Sequence, residues 1–253
     1  MCFDHDSRPP IAPIAGGALD GRLVTLTAAD GNEFAAFHAR ATAPSGAGIV
    51  ILPDVRGLYP YYEELALRFA EVGVDALVID WFGRTAGVAR RGADFEFMPH
   101  VFETTWVGIA ADIAAAITAI RTADGERAGP TRIFTLGFCM GGRMSFLTGT
   151  LDHGLAGVIG FYGTLSGPWR NDAPAPLDHV AEIRTPVLGL FGGADESISA
   201  EAIAAFEAGL SATGTAHRIV TYAGAPHSFF DRKAAEYADA SAAAWSEILA
   251  FVG

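Results

Sequence analysis

The sequence predicts an α/β protein in which a mostly parallel central sheet carries helices on both faces. Two observations predict this fold: short apolar segments recur from Ala47 onwards, and segments with apolar residues at helical spacing alternate with them. This alternation is typical of parallel sheets, in which consecutive strands are joined by crossover helices. No repeat or low-complexity linker interrupts the series, so we expect one domain over residues 1–253, with an irregular segment at residues 1–20.

The first predicted element is a hairpin at one edge of the sheet. Residues 23–28 and 34–40 have strand-like patterns and are joined through Asp30 and Gly31, a common turn pair. Apolar segments predict six further strands, at residues 48–52, 75–79, 132–136, 157–162, 187–191 and 218–222.

Helices are predicted between these strands, with their apolar faces packed on the sheet. Two such faces consist of Tyr62, Leu65, Phe69 and Val72, and of Ile109, Ile113, Ile117 and Ile120. Further helices are predicted to begin near Gly141 and near Ala200, and a last one to cover about 234–251. Residues 84–99 and 165–178 are predicted to be irregular loops, and we expect them to form the rim of a pocket.

The composition argues against several classes of partner. The 17 Lys and Arg against 29 Asp and Glu give a net charge of -12, which repels nucleic acid phosphates and anionic lipid surfaces. The apolar runs fall far short of the roughly 20 residues that a membrane helix needs, and residues 1–20 lack the pattern of a secretory signal. We therefore expect a cytoplasmic protein that binds neither nucleic acid nor membrane, and whose two cysteines are reduced thiols.

The most informative segment joins a predicted strand to a predicted helix. Residues 137–141 read Gly-Phe-Cys-Met-Gly, which places Cys139 where serine hydrolases carry the serine of G-x-S-x-G. Such a nucleophile sits on a sharp turn, and Gly137 and Gly141 leave room for the neighbouring backbone. We predict Cys139 as the nucleophile and the amide of Met140 as a hydrogen-bond donor to the oxyanion. The alternative is a structural cysteine packed at a strand end.

A base and its carboxylate follow in the chain order of nucleophile, acid and histidine. Asp195 follows the strand predicted at 187–191, and His227 follows the strand predicted at 218–222. Both loops lie where ligands gather in open parallel sheets. We predict that His227 takes the thiol proton and that Asp195 orients its imidazole. The alternatives are a helix N-cap for Asp195 and an ordinary loop histidine for His227.

The loop after the strand predicted at 48–52 supplies three more candidates. It reads Pro-Asp-Val-Arg-Gly at residues 53–57. Val55 is the candidate for the second oxyanion donor. Asp54 would hold or deprotonate Cys139, or else be a solvated turn residue. Arg56 would bind an acidic group of the substrate, or else be a surface residue.

No metal or cofactor is expected. Histidines 5, 38, 100, 153, 179 and 217 show no paired ligand spacing, and neither common nucleotide-binding glycine motif occurs. Cys2, Asp4, His5 and Asp6 carry ligand-type atoms, but a chain terminus rarely preorganises them.

The ordered set of motifs resembles the dienelactone hydrolase family of the α/β-hydrolase superfamily. Residues 137–142, 193–195 and 224–229 resemble its nucleophile, acid and histidine segments, and residues 53–57 and 79–83 resemble two others, so that the likeness covers roughly residue 49 to the C-terminus. The resemblance implies an α/β-hydrolase fold and cofactor-free, metal-independent hydrolysis of a cyclic enol ester through a thioester. It also implies that an acidic residue, usually Glu, controls the cysteine; Asp54 at that position is one methylene shorter.

The resemblance leaves the substrate open. Family members that cleave dienelactone bind its carboxylate with arginines, one of which lies shortly after the histidine. Asp231 occupies that position here and Arg232 is next to it, while Arg84, Arg90 and Arg91 are other cationic candidates. Besides a cysteine-dependent ester or lactone hydrolase, the sequence is compatible with a carboxylesterase or thioesterase for uncharged substrates. It is also compatible with a thiol-based sensor or binding protein in which Cys139 is oxidised.

Overall fold

The computed structural model describes residues 6–122 and 127–253, apart from the side chain of Leu19. Eight strands form one sheet in the order β1-β2-β4-β3-β5-β6-β7-β8. The strands are β1 (Ala18–Thr27), β2 (Glu33–Ala41), β3 (Ala47–Leu52), β4 (Asp75–Ile79), β5 (Arg132–Phe138), β6 (Gly157–Phe161), β7 (Val187–Gly192) and β8 (His217–Tyr222). The helices are α1 (Pro60–Glu71), α2 (Gly83–Ala86), α3 (Phe97–Glu103), α4 (Trp106–Arg121), α5 (Met140–Thr148), α6 (Ala200–Thr213) and α7 (Ala238–Val252), with a 3₁₀ helix at Pro176–Glu182.

The N-terminal hairpin forms one edge of the sheet, as the turn pair predicts. β1 and β2 are antiparallel, and β2 pairs antiparallel with β4, whereas all the other neighbours are parallel. β1 begins at Ala18, five residues before the predicted start at 23. The strand-like pattern of the sequence does not extend to this early part, because it contains the polar residues Asp20 and Arg22. Asp20 is held there by a cross-strand salt bridge of 3.0 Å to Arg40.

The parallel strands lie between helices on both sides and are buried except for the half-exposed edge strand β8, which confirms the predicted fold class. Every residue of β3 is buried, and alternate residues face opposite sides of the sheet. Ile49 and Ile51 belong to a core cluster that includes Phe69 of α1. Val50 belongs to a second cluster that includes Ile113 of α4. The two predicted helical faces therefore pack on the sheet, except for Val72, which follows the end of α1 and belongs to neither cluster.

Helix ends follow local sequence signals. Thr105 caps α4 by accepting a hydrogen bond from the amide of Gly108 at 3.2 Å. Ser199 caps α6 in the same way through Ala202, also at 3.2 Å. The N-cap of this helix is therefore Ser199, and the alternative role of Asp195 as that cap is wrong.

The two segments predicted as irregular loops contain some helix. The first includes most of α2 and the start of α3, and the second ends in the 3₁₀ helix. In the described part of the chain, no single helix is long and apolar enough to span a membrane. The pair α3 and α4 meets the length and composition criterion only jointly, across a bend of 100°.

Candidate active site

Cys139 lies on a strained turn between β5 and α5. Its φ of 54° and ψ of −110° place it in a region that non-glycine residues rarely adopt. The turn is fixed on both sides: the amide of Cys139 donates to the carbonyl of Phe161 at 3.1 Å, and its carbonyl accepts from the amide of Arg143 at 3.1 Å. The predicted strand-turn-helix arrangement is therefore present, and the thiol is partly exposed.

The two glycines of the motif are required by close backbone contacts. A Cβ atom at Gly137 would lie 1.8 Å from the carbonyl oxygen of Gly141. A Cβ atom at Gly141 would lie 2.0 Å from the carbonyl oxygen of Leu52, at the end of β3. Any side chain at either position would therefore push the start of α5 away from the sheet.

His227 and Asp195 are hydrogen-bonded across the loops that follow β8 and β7. Nδ1 of His227 lies 2.7 Å from Oδ2 of Asp195. The other carboxylate oxygen, Oδ1, accepts hydrogen bonds from the hydroxyl of Ser197 at 2.5 Å and from its amide at 2.9 Å. The Ser197 hydroxyl also lies 3.4 Å from Nδ1 of His227. Asp195 is thus held in one orientation by two residues.

These contacts determine the charge of the carboxylate. Burial alone would raise the pKa of Asp195, but the hydrogen bond and charge of His227, together with the hydrogen bonds of Ser197, outweigh it. The net effect lowers the pKa of Asp195 below its ordinary value. Asp195 is therefore ionised at neutral pH and can stabilise a protonated His227.

Cys139, Asp195 and His227 all line one cavity of about 810 Å³. This is within the range of roughly 300–1,000 Å³ typical of small-molecule sites. Val55, the candidate oxyanion donor, lines the same cavity, and Met140 is the first residue of α5 directly after Cys139. The rest of the lining comprises Phe97, Met98, Thr164, Trp169, Arg170, Ala194, Glu196, Ser197, Pro226, Ser228, Arg232 and Lys233.

The loop that carries Val55 is fixed by hydrogen bonds of Asp54. The Asp54 amide donates to the Tyr62 hydroxyl at 3.0 Å, and its carbonyl accepts from the indole of Trp81 at 2.9 Å. Its carboxylate oxygen Oδ1 accepts from the amide of Arg56 at 2.9 Å. Asp54 is completely buried and Arg56 is 2% exposed. The alternatives of a solvated turn aspartate and of a surface arginine are therefore wrong.

The structure separates the cationic candidates. Arg232 lines the cavity, whereas Arg56, Arg84 and Arg91 are not among the lining residues. Arg84 forms salt bridges of 2.6 Å with Asp30 and 2.8 Å with Asp112. Arg91 is buried and bound to Asp80 at 2.7 Å. Arg84 and Arg91 thus have structural partners of opposite charge, and neither reaches the site as described.

Asp231, where the family resemblance implies an arginine, is buried beside the site. The hydroxyl of Tyr162 donates to its Oδ2 at 2.6 Å, and the amide of Arg232 donates to its Oδ1. Burial raises the pKa of Asp231 well above its ordinary value, and the nearby charge of Asp54 adds to the increase. The ring of Tyr162 lies 4.7 Å from that of His227. The position therefore holds a carboxyl that is biased towards its neutral form.

Sequence reasoning missed several residues of this site. Phe97, Met98, Trp169 and Arg170 lie in the two segments predicted to form a rim, but nothing in the sequence shows which side chains face the cavity. Ser197 carried a usable signal, because serine two residues after an aspartate often closes a local turn with it. Among residues 6–122 and 127–253, no group of His, Cys, Asp and Glu could hold a metal ion. The terminal residues Cys2, Asp4 and His5 lie outside the described residues.

Comparison with known proteins identifies the family to which the chain belongs. The sequence profile of the dienelactone hydrolase family matches residues 34–253. The chain belongs to the dienelactone hydrolase family. The match begins at residue 34 and thus includes β2, which extends the likeness beyond the predicted limit near residue 49. The predicted class of enzyme, an ester or lactone hydrolase of this family, is confirmed at that level.

Individual relatives support the family assignment. A Salmonella typhimurium protein with the provisional name carboxymethylenebutenolidase is 26% identical over 249 residues, covering 95% of this chain and 91% of its own length. A Bradyrhizobium protein provisionally named as a 2-oxo-3-(5-oxofuran-2-ylidene)propanoate lactonase is 26% identical and covers 81% of this chain and 82% of its own length.

Solved structures support the fold. A Klebsiella pneumoniae crystal structure, provisionally titled as a dienelactone hydrolase, aligns with a TM-score of 0.75 at 23% identity, over 91% of this chain and 98% of the other. A dienelactone hydrolase-like promiscuous phosphotriesterase from metagenomic libraries aligns with a TM-score of 0.72 at 20% identity, over 92% and 96%.

Proposed function

We propose that this protein hydrolyses an ester or lactone through an acyl thioester on Cys139. The observation that carries the proposal is the 2.7 Å hydrogen bond between His227 and Asp195, in a cavity that Cys139 also lines. The family membership makes hydrolysis of a carboxylic ester the expected reaction, and the strained turn supplies the nucleophile that such a reaction needs.

Acylation begins with proton transfer from the thiol to His227. Because Nδ1 is bonded to Asp195, Nε2 is the nitrogen that accepts the proton. The sulfur then forms a bond to the acyl carbon, and the carbonyl oxygen becomes an oxyanion. We propose that the amides of Val55 and Met140 donate to this oxyanion, assisted by the positive end of the α5 dipole. As the intermediate collapses, the C–O bond breaks and the leaving oxygen takes the proton from Nε2.

Deacylation repeats the sequence with water. His227 takes a proton from the water, and the resulting hydroxide attacks the thioester carbon. The C–S bond breaks, the carboxylic acid is released, and the sulfur recovers its proton from His227. The net reaction consumes one water molecule per ester bond. With a lactone, the leaving oxygen remains attached to the acyl chain, so the product is a single hydroxy acid; an enol lactone gives an enol acid, which tautomerises to a keto acid.

Asp231 supplies no positive charge where the family resemblance implies an arginine, and at 3% exposed it is not among the residues that line the cavity. A buried carboxyl in place of an arginine offers no positive charge to a substrate carboxylate, and in its ionised form would repel one. Although Arg170, Arg232 and Lys233 line the cavity, no arginine occupies the position of Asp231, and we therefore propose a carboxylesterase or lactonase that accepts neutral acyl groups ahead of one specialised for dienelactone. Values of kcat/KM for a neutral butenolide and for its carboxylate-bearing analogue separate the two, and a preference for the analogue would reject the neutral-acyl proposal.

Replacement of the nucleophile tests the whole proposal. Cys139→Ala is expected to lower kcat/KM for p-nitrophenyl acetate by about 10³-fold or more, because the attacking atom is removed. In the native enzyme, rapid acid quenching during turnover should trap an acetyl group on the peptide that contains Cys139, detected by mass spectrometry.

The second cysteine of the sequence provides a matched control. Cys2→Ala is expected to retain native turnover. Native turnover in Cys139→Ala would disprove the proposal. Absence of turnover by the native protein across a panel of esters and lactones, with reversible peroxide oxidation of Cys139, would favour the sensor alternative.

A further inference from the structure

Arg143 is a completely buried arginine on α5, one helical turn after Cys139. No salt bridge to it occurs within the described residues 6–122 and 127–253. Burial lowers the pKa of Arg143 to about 10, against which the charge of Asp178 acts weakly. A buried guanidinium is unfavourable unless its N–H groups are hydrogen-bonded, so its partners indicate what it does.

All of its side-chain partners lie in one segment, residues 164–174. Nε donates to the carbonyl of Pro174 at 3.0 Å, and Nη1 donates to the hydroxyl of Thr164 at 3.2 Å. Nη2 donates to the carbonyls of Gly167 at 2.8 Å and Ala173 at 3.1 Å. The planar fork of the guanidinium thus ties both ends of this irregular segment to α5, the helix that follows Cys139.

The same segment forms one wall of the cavity. Thr164, Trp169 and Arg170 are lining residues, and the guanidinium of Arg143 lies 5.9 Å from the Trp169 ring. Irregular backbone of this kind has few contacts of its own, so its conformation depends on the groups that bind its carbonyls.

The segment also contacts the elements that carry a second group of lining residues. The side chain of Asn171 donates to the Thr104 hydroxyl at 2.9 Å, and the amide of Trp106 donates to the Asp172 carboxylate at 2.5 Å. Thr104 and Trp106 form the corner between α3 and α4, and α3 carries the lining residues Phe97 and Met98. Arg143 is therefore connected, through residues 164–174, to lining residues in the segment itself and to α3.

We propose that Arg143 is a positioning residue that fixes residues 164–174 and thereby sets the acyl-chain specificity of the enzyme. The proposal rests on the ester hydrolase function proposed above. Arg143 does not touch the substrate. It determines where Trp169 and the α3 residues stand, and hence how much acyl chain the cavity accepts.

The kinetic test compares a short and a long acyl chain on the same leaving group. With p-nitrophenyl hexanoate, Arg143→Met is expected to raise KM about tenfold. With p-nitrophenyl acetate, whose acyl chain is four carbons shorter, both kcat and KM are expected to stay within about threefold. Arg143→Lys keeps the charge but not the fork, so it should give an intermediate effect. Trp169→Ala should reproduce the hexanoate defect with Arg143 intact.

Limited proteolysis gives a second readout that does not depend on turnover. Arg170 is an exposed trypsin site within the segment. Trypsin is expected to cut after Arg170 about ten times faster in Arg143→Met than in the native protein, while cleavage elsewhere is unchanged. The matched control is Arg121→Met: Arg121 also ties a helix to loop carbonyls, those of His153 and Gly154, but away from the cavity. It should leave KM and the cut at Arg170 unchanged.

Two results would overturn the proposal. Unchanged KM and unchanged cleavage in Arg143→Met would show that the segment holds without the arginine. An equal loss of kcat with both esters, accompanied by slower alkylation of Cys139 by iodoacetamide, would show that Arg143 acts on the turn at Cys139. If Arg143→Met does not fold, Arg143→Lys and Trp169→Ala decide the question. Native turnover in Cys139→Ala would instead reject the hydrolase mechanism, and the proteolysis result would stand apart from it.

Discussion

The two sides of the cavity are held in different ways. On the catalytic side, Cys139 is fixed by backbone packed directly on backbone, through Gly137 near the end of β5 and Gly141 in the first turn of α5. On the side formed by residues 164–174, an irregular segment is held by hydrogen bonds from the Arg143 side chain. The first arrangement tolerates almost no added volume, whereas the second depends on donors at the end of a long side chain. The contrast predicts which substitutions affect stability, chemistry or substrate choice.

The largest expected effect is a loss of stability when volume is added at the contact between Gly141 and the backbone of Leu52. Gly141→Ala would place a Cβ atom 2.0 Å from the carbonyl oxygen of Leu52, where neither backbone can move without shifting β3 or α5. We expect the free energy of unfolding to fall by about 3 kcal/mol or more, measured by urea denaturation.

The control for this substitution is a glycine at which an added Cβ atom has open space around it. A Cβ atom at Gly92 would meet nothing within 4 Å, and Gly92→Ala is expected to change stability by less than about 0.5 kcal/mol. Native stability in Gly141→Ala would break the comparison, because it would show that the catalytic side also adapts to added volume.

The next largest effect is a loss of activity from a substitution that leaves the packing unchanged. Asp195→Asn keeps the size of the side chain but removes the charge that stabilises protonated His227, and its amide group disturbs the hydrogen bonds with Ser197. We expect kcat/KM for p-nitrophenyl acetate to fall by about 100-fold or more. The control is a nearby exposed carboxylate outside the cavity lining: Glu201→Gln should stay within about twofold of the native value. Equal losses in both variants would mean that general negative charge near the cavity, and not the bond to His227, supports activity.

The smallest expected effect is a change in the pH dependence of stability caused by Asp231, which lies beside the site. Asp231 has a pKa raised by burial, so between the ordinary value of 3.8 and its raised value the folded protein binds more protons than the unfolded chain. Its contribution to stability is therefore present at low pH and is lost as the pH rises through the raised pKa. Asp231→Asn does not titrate and keeps an acceptor for the Tyr162 hydroxyl.

We expect Asp231→Asn to gain in melting temperature over the native protein as the pH increases from 4 to 8, with the largest gain at the alkaline end. Thermal unfolding at several pH values measures this. Asp94→Asn, at an exposed aspartate, is expected to follow the native curve. A gain that is largest at pH 4 would contradict the assignment of a neutral buried carboxyl.

The catalytic side was accessible to sequence reasoning because its information is local. The motif around Cys139 requires small residues at fixed offsets, and Asp195 and His227 each follow a strand directly. Since parallel strands end at the same edge of a sheet, the order of motifs along the chain was enough to predict that these residues meet. The structure places Asp195 and His227 2.7 Å apart and all three residues around one cavity.

The rim was not accessible because its contacts join distant parts of the chain. The sequence predicts irregular loops for the segments that contain Phe97 and Trp169, but Phe97 begins helix α3, and the segments are joined by contacts between distant residues, such as Arg143 with Ala173 and Asn171 with Thr104. The burial of Asp54 could not be predicted either, because it depends on hydrogen bonds to Tyr62 in α1 and to Trp81 after the end of β4. A polar residue in a turn is ordinarily exposed, and only the three-dimensional packing reverses that expectation.

The positive φ angles have a consequence for how this enzyme could adapt to heat. Among the described residues, the non-glycine positions with such angles are Cys139, Tyr162 and Ser228, which are the proposed nucleophile, a neighbour of His227 and the residue after His227. Each unfavourable backbone conformation destabilises a protein by roughly 1–3 kcal/mol. Selection for thermal stability alone would therefore favour relaxed backbone conformations at the proposed active site, and lineages that move to hotter habitats should gain stability elsewhere in the molecule.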